Sequence, residues 1–150
     1  MIAIRLMAKH DRKFVTASWV ASWRDSYASG LIQAADYWPI MFAQIDKVIS
    51  RPDVVVHVAY SSEADDHVAD LIGFVAADAD RTPPLLFYVY TKQAYRRAGI
   101  ARRLLEEAGI DPAQRFDYVC KNPLPRELTA RIPSARWNPI PARYPKDDET

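Results

Sequence analysis

The stretch that most constrains this chain runs from Pro83 to Gly109, PPLLFYVYTKQAYRRAGIARRLLEEAG. Leu85 to Tyr90 is an unbroken apolar and aromatic run opened by Pro83–Pro84 and closed by Lys92–Gln93, which predicts a central strand covered on both faces. Ile100, Leu104, Leu105 and Ala108 then recur on one helical face, with Arg102, Arg103, Glu106 and Glu107 opposite and Gly109 placed for a left-handed stop. Between strand and helix, Lys92, Arg96, Arg97, Arg102 and Arg103 occur without one acid. A helix start leaves backbone N–H groups unpaired and partly positive, and Gly99 lets an anion approach the main chain. Small Ala98 and Ala101 keep that approach open. A diphosphate held by the backbone from Arg97 to Arg102, with Arg96 or Arg102 adding charge, is one reading. The other is a solvated basic helix start.

Tyr95-Arg96-Arg97-Ala98-Gly99-Ile100-Ala101 resembles the acetyl-CoA signature of the GCN5-related N-acetyltransferases, Arg/Gln-x-x-Gly-x-Gly/Ala. Val89-Tyr90-Thr91 stands where those enzymes place the strand that pairs with the pantetheine arm, and Gln93 stands where they often have proline. The resemblance implies acetyl-CoA as cofactor, with Val89, Tyr90 and Thr91 along the arm. Arg96, Arg97, Ala98, Gly99, Ile100, Ala101 and Arg102 would lie at the diphosphate. It also matches Asn122 to a cofactor-proximal asparagine after the fifth strand; a turn residue before Pro123 is the plain alternative.

The rest of the chain follows the order of that fold. Residues 2–8 alternate as a first strand, and Asp11 is the expected N-cap of a helix over roughly 12–28. Trp19, Trp23 and Tyr27 form an aromatic stripe on it, which is core or, through the resemblance, a wall of the acceptor pocket. A second helix is expected over about 37–49, with Asp36 as cap and Pro39 in its first turn. Residues 54–60 and 68–77 read as a strand pair around the polar loop 61–67, with Gly73 at a bulge. Residues 115–121 read as a fifth strand. The expected class is α/β (α+β): a mixed central sheet flanked by helices, one domain over 1–150, with a core over 1–132 and an extended tail over 133–150.

That tail is where the chain departs from its apparent relatives. Seven of the eleven prolines fall in the last 39 residues, a density that excludes regular central strands. Thr129 stands where the family often has a catalytic tyrosine. A short helix is expected over about 125–131, then a segment pinned by Ile132, Trp137, Ile140 and Tyr144. It packs on the domain or on a second subunit, so the chain is a monomer or a homodimer. The ending Arg136-Trp137-Asn138-Pro139 with Arg143-Tyr144-Pro145-Lys146 resembles short bacteriophage acetyltransferase-like proteins.

Composition narrows the function classes. An apolar share of 49%, a charged share of 26% and a net charge of +1 carry no global field toward nucleic acid or membrane. Cys120, the one cysteine, excludes an internal disulfide and suits a reducing compartment, so a cytoplasmic protein is expected. No signal-peptide pattern and no membrane span is read, and His10, His57 and His67 lack metal-ligand spacing, so no metal is expected.

Amine attack on a thioester needs a neutral amine, a place for the oxyanion and a proton for the thiolate. The resemblance implies that N–H groups from Val89 to Thr91 orient the carbonyl. Tyr88 and Tyr90 share a face of the strand, so either could relay or donate a proton, with Tyr88 the chosen candidate and core packing the expected role of at least one. Glu63, Asp65, Asp66, Asp70, Asp78 and Asp80 form an acid-rich stretch without lysine or arginine. It is a solvated hairpin or a rim for a cationic amine, with Asp78 and Asp80 next to the central strand and Asp78 the candidate catalytic acid group beside a water that takes the amine proton. The function implied is N-acetyl transfer to a small-molecule or protein amine. Two alternatives stand beside it: nucleic-acid modification on the same fold, suggested by Arg126, Arg131, Arg136 and Arg143, and a non-catalytic binding module.

Overall fold

The computed structural model of the chain describes residues 2–23, 34–61, 70–119, 132 and 135–137. Among them, apolar alternation and helical spacing produce six strands and three α-helices. The strands are β1 (Ile2–Leu6), β2 (Val55–Ser61), β3 (Leu71–Asp78), β4 (Leu85–Thr91), β5 (Phe116–Tyr118) and β6 (Ala135–Trp137). They lie in chain order in one sheet. β1 to β4 are antiparallel neighbours, whereas β4–β5 and β5–β6 are parallel. A parallel step needs a crossover, and α3 (Ile100–Glu107) supplies the one from β4 to β5.

The sheet is buried on both faces. On one, α1 (Arg12–Ser22) and α2 (Ala34–Ile49) bring Val15, Trp19, Tyr37, Met41 and Ile45 against Val56, Val58, Phe74 and Tyr88. On the other, Ile100, Leu104, Leu105 and Ala108 of α3 meet Ile72, Val75, Leu86 and Phe116. The helical stripe read from the sequence is therefore the buried face of α3, and its polar residues are exposed. The helix stops as expected: Gly109 has φ +85, its N–H donates to the Glu106 carbonyl (3.0 Å) and the Ile110 N–H to that of Leu105 (2.9 Å). This is a Schellman closure, with Ile110 buried beyond it.

Two bulges set which side chains face which layer. Ala59 pairs with Gly73 but Tyr60 pairs with Leu71, so β3 carries one extra residue at Ile72, beside the glycine expected to mark a bulge. Ala76 pairs with Tyr88 but Ala77 pairs with Leu86, so Phe87 is the extra residue of β4. As a result Phe87 and Tyr88 both enter the α1/α2 layer, while Leu86 stays in the α3 layer.

Several expected boundaries move, each for a local reason. β1 ends at Leu6 rather than Ala8 because the Ala8 N–H donates to the Asp11 carboxylate (2.7 Å), turning the chain into a 3-10 turn over Lys9–Asp11. Asp11 stands at the N-cap position of α1 but makes no side-chain cap bond there. Its carboxylate instead holds Ala8 and a two-pronged pair with Arg5, whose Nη2 lies 3.0 Å from Oδ1. α1 ends at Ser22, short of residue 28, and Tyr27 lies outside the described residues. α2 begins at Ala34, so Asp36 sits inside its first turn and Pro39 one turn further in than expected. The bond Pro39 cannot make is to the carbonyl of Ala35, an exposed residue at the helix start. Within the proline-rich end, Ala135–Trp137 does form a strand, three residues long, on the outer edge of β5. The expected helix over 125–131, Ile140 and Tyr144 lie outside the described residues.

Candidate functional site

The site is built on the far half of β4. Its pairing with β5 is confined to Leu85–Asp117 and Leu86–Tyr118, and the last bond is from the Val119 N–H to the Leu86 carbonyl (2.9 Å). Beyond it, among the described residues, β4 has a strand partner on the β3 side alone. The Lys92 N–H donates to the Ile72 carbonyl (2.8 Å), and the Tyr90 carbonyl presses so closely on Gly73 that a Cβ there would lie 2.5 Å from it. Strand geometry alternates, so Val89 and Thr91 turn their backbone groups to the opposite side. Among the described residues no strand meets them there, and the Thr91 carbonyl accepts instead from Arg96 Nε (3.0 Å). Val89 thus offers an N–H and a carbonyl, and Thr91 an N–H, along an edge that is open among the described residues.

That edge forms one wall of a cleft of about 740 Å³ lined by Tyr88, Val89, Tyr90, Thr91, Tyr95, Arg96, Arg97, Gly99, Ile100 and Ala101. The other wall is the start of α3. Gly99 occupies its N-cap position at φ +76, and Arg97 also lies at positive φ (+69), unusual for a residue with a side chain. A Cβ on Gly99 would meet nothing within 4 Å among the described residues, and the glycine lines the cleft. Main-chain N–H groups at the first turn of α3 are unpaired by geometry and partly positive, as an anion requires.

The five cations of this segment are not equivalent. Lys92 Nζ lies 3.2 Å from Asp70 Oδ1 and 5.5 Å from the Phe14 ring centroid. Arg96 is tied to Thr91, Arg102 Nε lies 3.2 Å from Glu106 Oε1, and Arg103 Nη2 donates to the Ile2 carbonyl (3.1 Å). Arg97 alone among them makes no hydrogen bond or ion pair with the described residues.

Behind the cleft lies a cluster of rings. Tyr88, 7% exposed, stacks on Trp19 (5.5 Å between centroids, 14° between planes) and meets Trp23 edge-on (6.0 Å, 75°). Tyr90 packs on Phe74 and Phe14. Tyr88 and Tyr90 do share a face, as the alternation after the bulge requires.

The structure brings most of the expected site residues together and separates others. Val89, Tyr90, Thr91, Arg96, Arg97, Gly99, Ile100 and Ala101 line the cleft with Tyr88; Ala98 and Arg102 do not. Asn122 lies outside the described residues, as do Cys120, Glu63, Asp65, Asp66 and His67. Asp78 pairs with Leu85 at the opposite end of β4 and is not part of the cleft. Burial and the neighbouring Asp53 hold its carboxyl above the ordinary range. Tyr95 is a lining residue that the sequence reading passed over; an aromatic side chain alone among cations after a strand was its signal. The same end of the sheet holds no candidate metal cluster among the described residues, and no described helix is long and apolar enough to cross a membrane.

A mixed six-stranded sheet with two helices on one face and a crossover helix on the other is the fold of the GCN5-related N-acetyltransferases. The chain matches an aminoglycoside 6'-N-acetyltransferase of Acinetobacter baumannii with a TM-score of 0.52 and 14% identity, over 87% of this chain and 86% of that one. An acetyltransferase of Staphylococcus aureus Mu50 gives 0.49 and 14%, over 72% of this chain and 63% of that one. The PaiA N-acetyltransferase of Thermoplasma acidophilum, solved with coenzyme A, gives 0.47 and 23%, over 72% and 69%. No sequence-family model and no curated protein sequence matches the chain.

Proposed function

We propose that the protein is an acyl-CoA-dependent N-acyltransferase, moving the acetyl group of acetyl-CoA to an amine. The observation that carries this reading is the open edge of β4 facing the start of α3 across one cleft, strand amides on one side and an anion cradle on the other. In this reading the diphosphate lies over Gly99 to Ala101 with Arg97 as its charge partner, and the pantetheine amides pair with Val89 and Thr91. The amine nitrogen attacks the thioester carbonyl carbon, the C–N bond forms, the C–S bond breaks, and the amine proton goes to the departing thiolate. The Val89 N–H is aimed along the open edge where the oxyanion would form. Tyr88, in the cleft lining, is assigned to relay that proton to the thiolate, and the amine gives it up through water rather than to Asp78.

The test is calorimetry with acetyl-CoA, then detection of free coenzyme A and acetylated amine by mass spectrometry. Arg97→Ala is expected to weaken acetyl-CoA about tenfold or more, since a charge-assisted bond contributes roughly 1.5–3 kcal/mol. It should leave pantetheine, which lacks the nucleotide phosphates, nearly unaffected. Arg102→Ala, already committed to Glu106, should do little. No binding of acetyl-CoA by the folded wild-type protein overturns the reading.

A further inference from the structure

The closed end of the cleft bears on the acyl group, and this inference rests on the acyltransferase reading just given. The cleft runs back along β4 from the start of α3, and Tyr88 is the residue of that strand at which its lining ends. Two residues further back the strands close on each other, because the Val119 N–H donates to the Leu86 carbonyl (2.9 Å). A pantetheine arm that enters from α3 and pairs with Thr91 and then Val89 therefore carries its thioester toward a closed end. From Val89 to Leu86 is three residues, at most about 10 Å of strand. The bulge at Phe87 shortens it further, since two residues there stand opposite one of β3.

The residue at that end is held in place. The same bulge turns the Tyr88 ring into the α1/α2 layer. There it lies against the buried rings of Trp19 (5.5 Å between centroids) and Phe74 (5.8 Å), which are themselves 5.9 Å apart. Trp19 and Phe74 do not line the cleft; they back the residue that does. Three rings in mutual contact at interior packing density leave none free to move without displacing another. A methyl group beyond the thioester carbonyl asks for no room behind Tyr88. Each further methylene directed along the strand does, and the ring on one side and the closed ladder on the other withhold it.

We propose that Tyr88 sets the length of acyl chain the site accepts, admitting the acetyl group and turning away hexanoyl and longer chains. The ring does this by its bulk, separately from the proton relay assigned to its hydroxyl.

The experiment is titration calorimetry with acetyl-, butyryl-, hexanoyl- and octanoyl-CoA, without an acceptor, so that affinity rather than turnover is read. For the wild-type protein, hexanoyl-CoA should bind about tenfold or more weakly than acetyl-CoA, as overpacking of a filled site implies. Tyr88→Phe keeps the ring and loses the hydroxyl, so the same fall is expected. Tyr88→Ala removes the ring, and hexanoyl-CoA should then bind as well as acetyl-CoA by filling the space left among Trp19 and Phe74. Tyr88→Leu should lie between them and serves where the alanine variant does not fold, with folding checked by circular dichroism. The wild-type series is decisive even if neither small variant folds. Acetyl- and hexanoyl-CoA bound equally tightly by the wild-type protein overturn the length limit alone. So does an undiminished preference for acetyl-CoA in a folded Tyr88→Ala or Tyr88→Leu protein, and so does its loss in Tyr88→Phe. Failure to bind any of the four overturns the underlying reading, and the length limit with it.

Discussion

Gly99 offers the sharpest separation of stability from binding. At φ +76 an L-residue pays for the left-handed conformation, and Gly99→Ala should cost about 1–2 kcal/mol on that account alone. None of the described residues lies within 4 Å of the added Cβ, so they add no packing cost to the backbone cost. For a chain of this length the melting temperature should fall by about 2–8 °C. The same Cβ projects into the space over the first turn of α3, where the proposed diphosphate would sit against the main chain. Affinity for acetyl-CoA should therefore drop far more than stability does, by about tenfold or more, as expected for lost charge-assisted contacts. Differential scanning calorimetry gives the first quantity and titration calorimetry the second, both well below the variant's melting point. Equal affinity in the two folded proteins refutes the cradle. A stability loss well beyond 2 kcal/mol refutes the claim that the space above Gly99 is open.

Gly73→Ala should behave in the opposite way, because its Cβ would lie 2.5 Å from the Tyr90 carbonyl and 3.4 Å from Thr91 Cα. Strand β4 must move, at an expected cost of about 1–3 kcal/mol for overpacking; an unchanged unfolding midpoint in urea would contradict the close approach. Asp11, 1% exposed, is pushed up by burial but held below the ordinary carboxylate range by Arg5 and the Ala8 N–H, which prevail. Its stabilisation is complete above the unfolded carboxylate pKa near 3.8 and is lost as pH falls through the lower folded value. Asp11→Asn should cost about 2 kcal/mol at pH 7, less than the roughly 3–5 kcal/mol of a fully buried pair because Arg5 is 30% exposed. The variant should also show a shallower loss of stability in acid, and parallel acid limbs for variant and wild type would contradict the pairing.

The unit from Pro84 to Gly109 was legible in the sequence because its determinants are local. An unbroken apolar run, a glycine among cations, a four-residue apolar stripe and a terminal glycine each act within a few residues of themselves. The strand, the α3 stripe, the Schellman stop and most of the cleft lining follow from them. What lay beyond the sequence depends on contacts between distant segments. The Phe87 bulge is set by the register of β4 against β3, and it decides that Tyr88 faces Trp19 and Trp23. Asp11 reads locally as a helix cap, yet a buried carboxylate is held most strongly by a cation, and Arg5 on β1 takes it. Arg96, Arg102 and Arg103 look like equal phosphate ligands in a string of letters. Folding commits them to Thr91, Glu106 and Ile2, and leaves Arg97 to face the cleft without a partner among the described residues. Asp78 is close to the central strand in the chain, but antiparallel pairing with Leu85 carries it to the end away from the cleft. Local pattern therefore determined which elements form and which residues are suited to an anion. Tertiary pairing decided which of those residues are free to meet one, because a charge or a donor acts only where no nearer partner has claimed it.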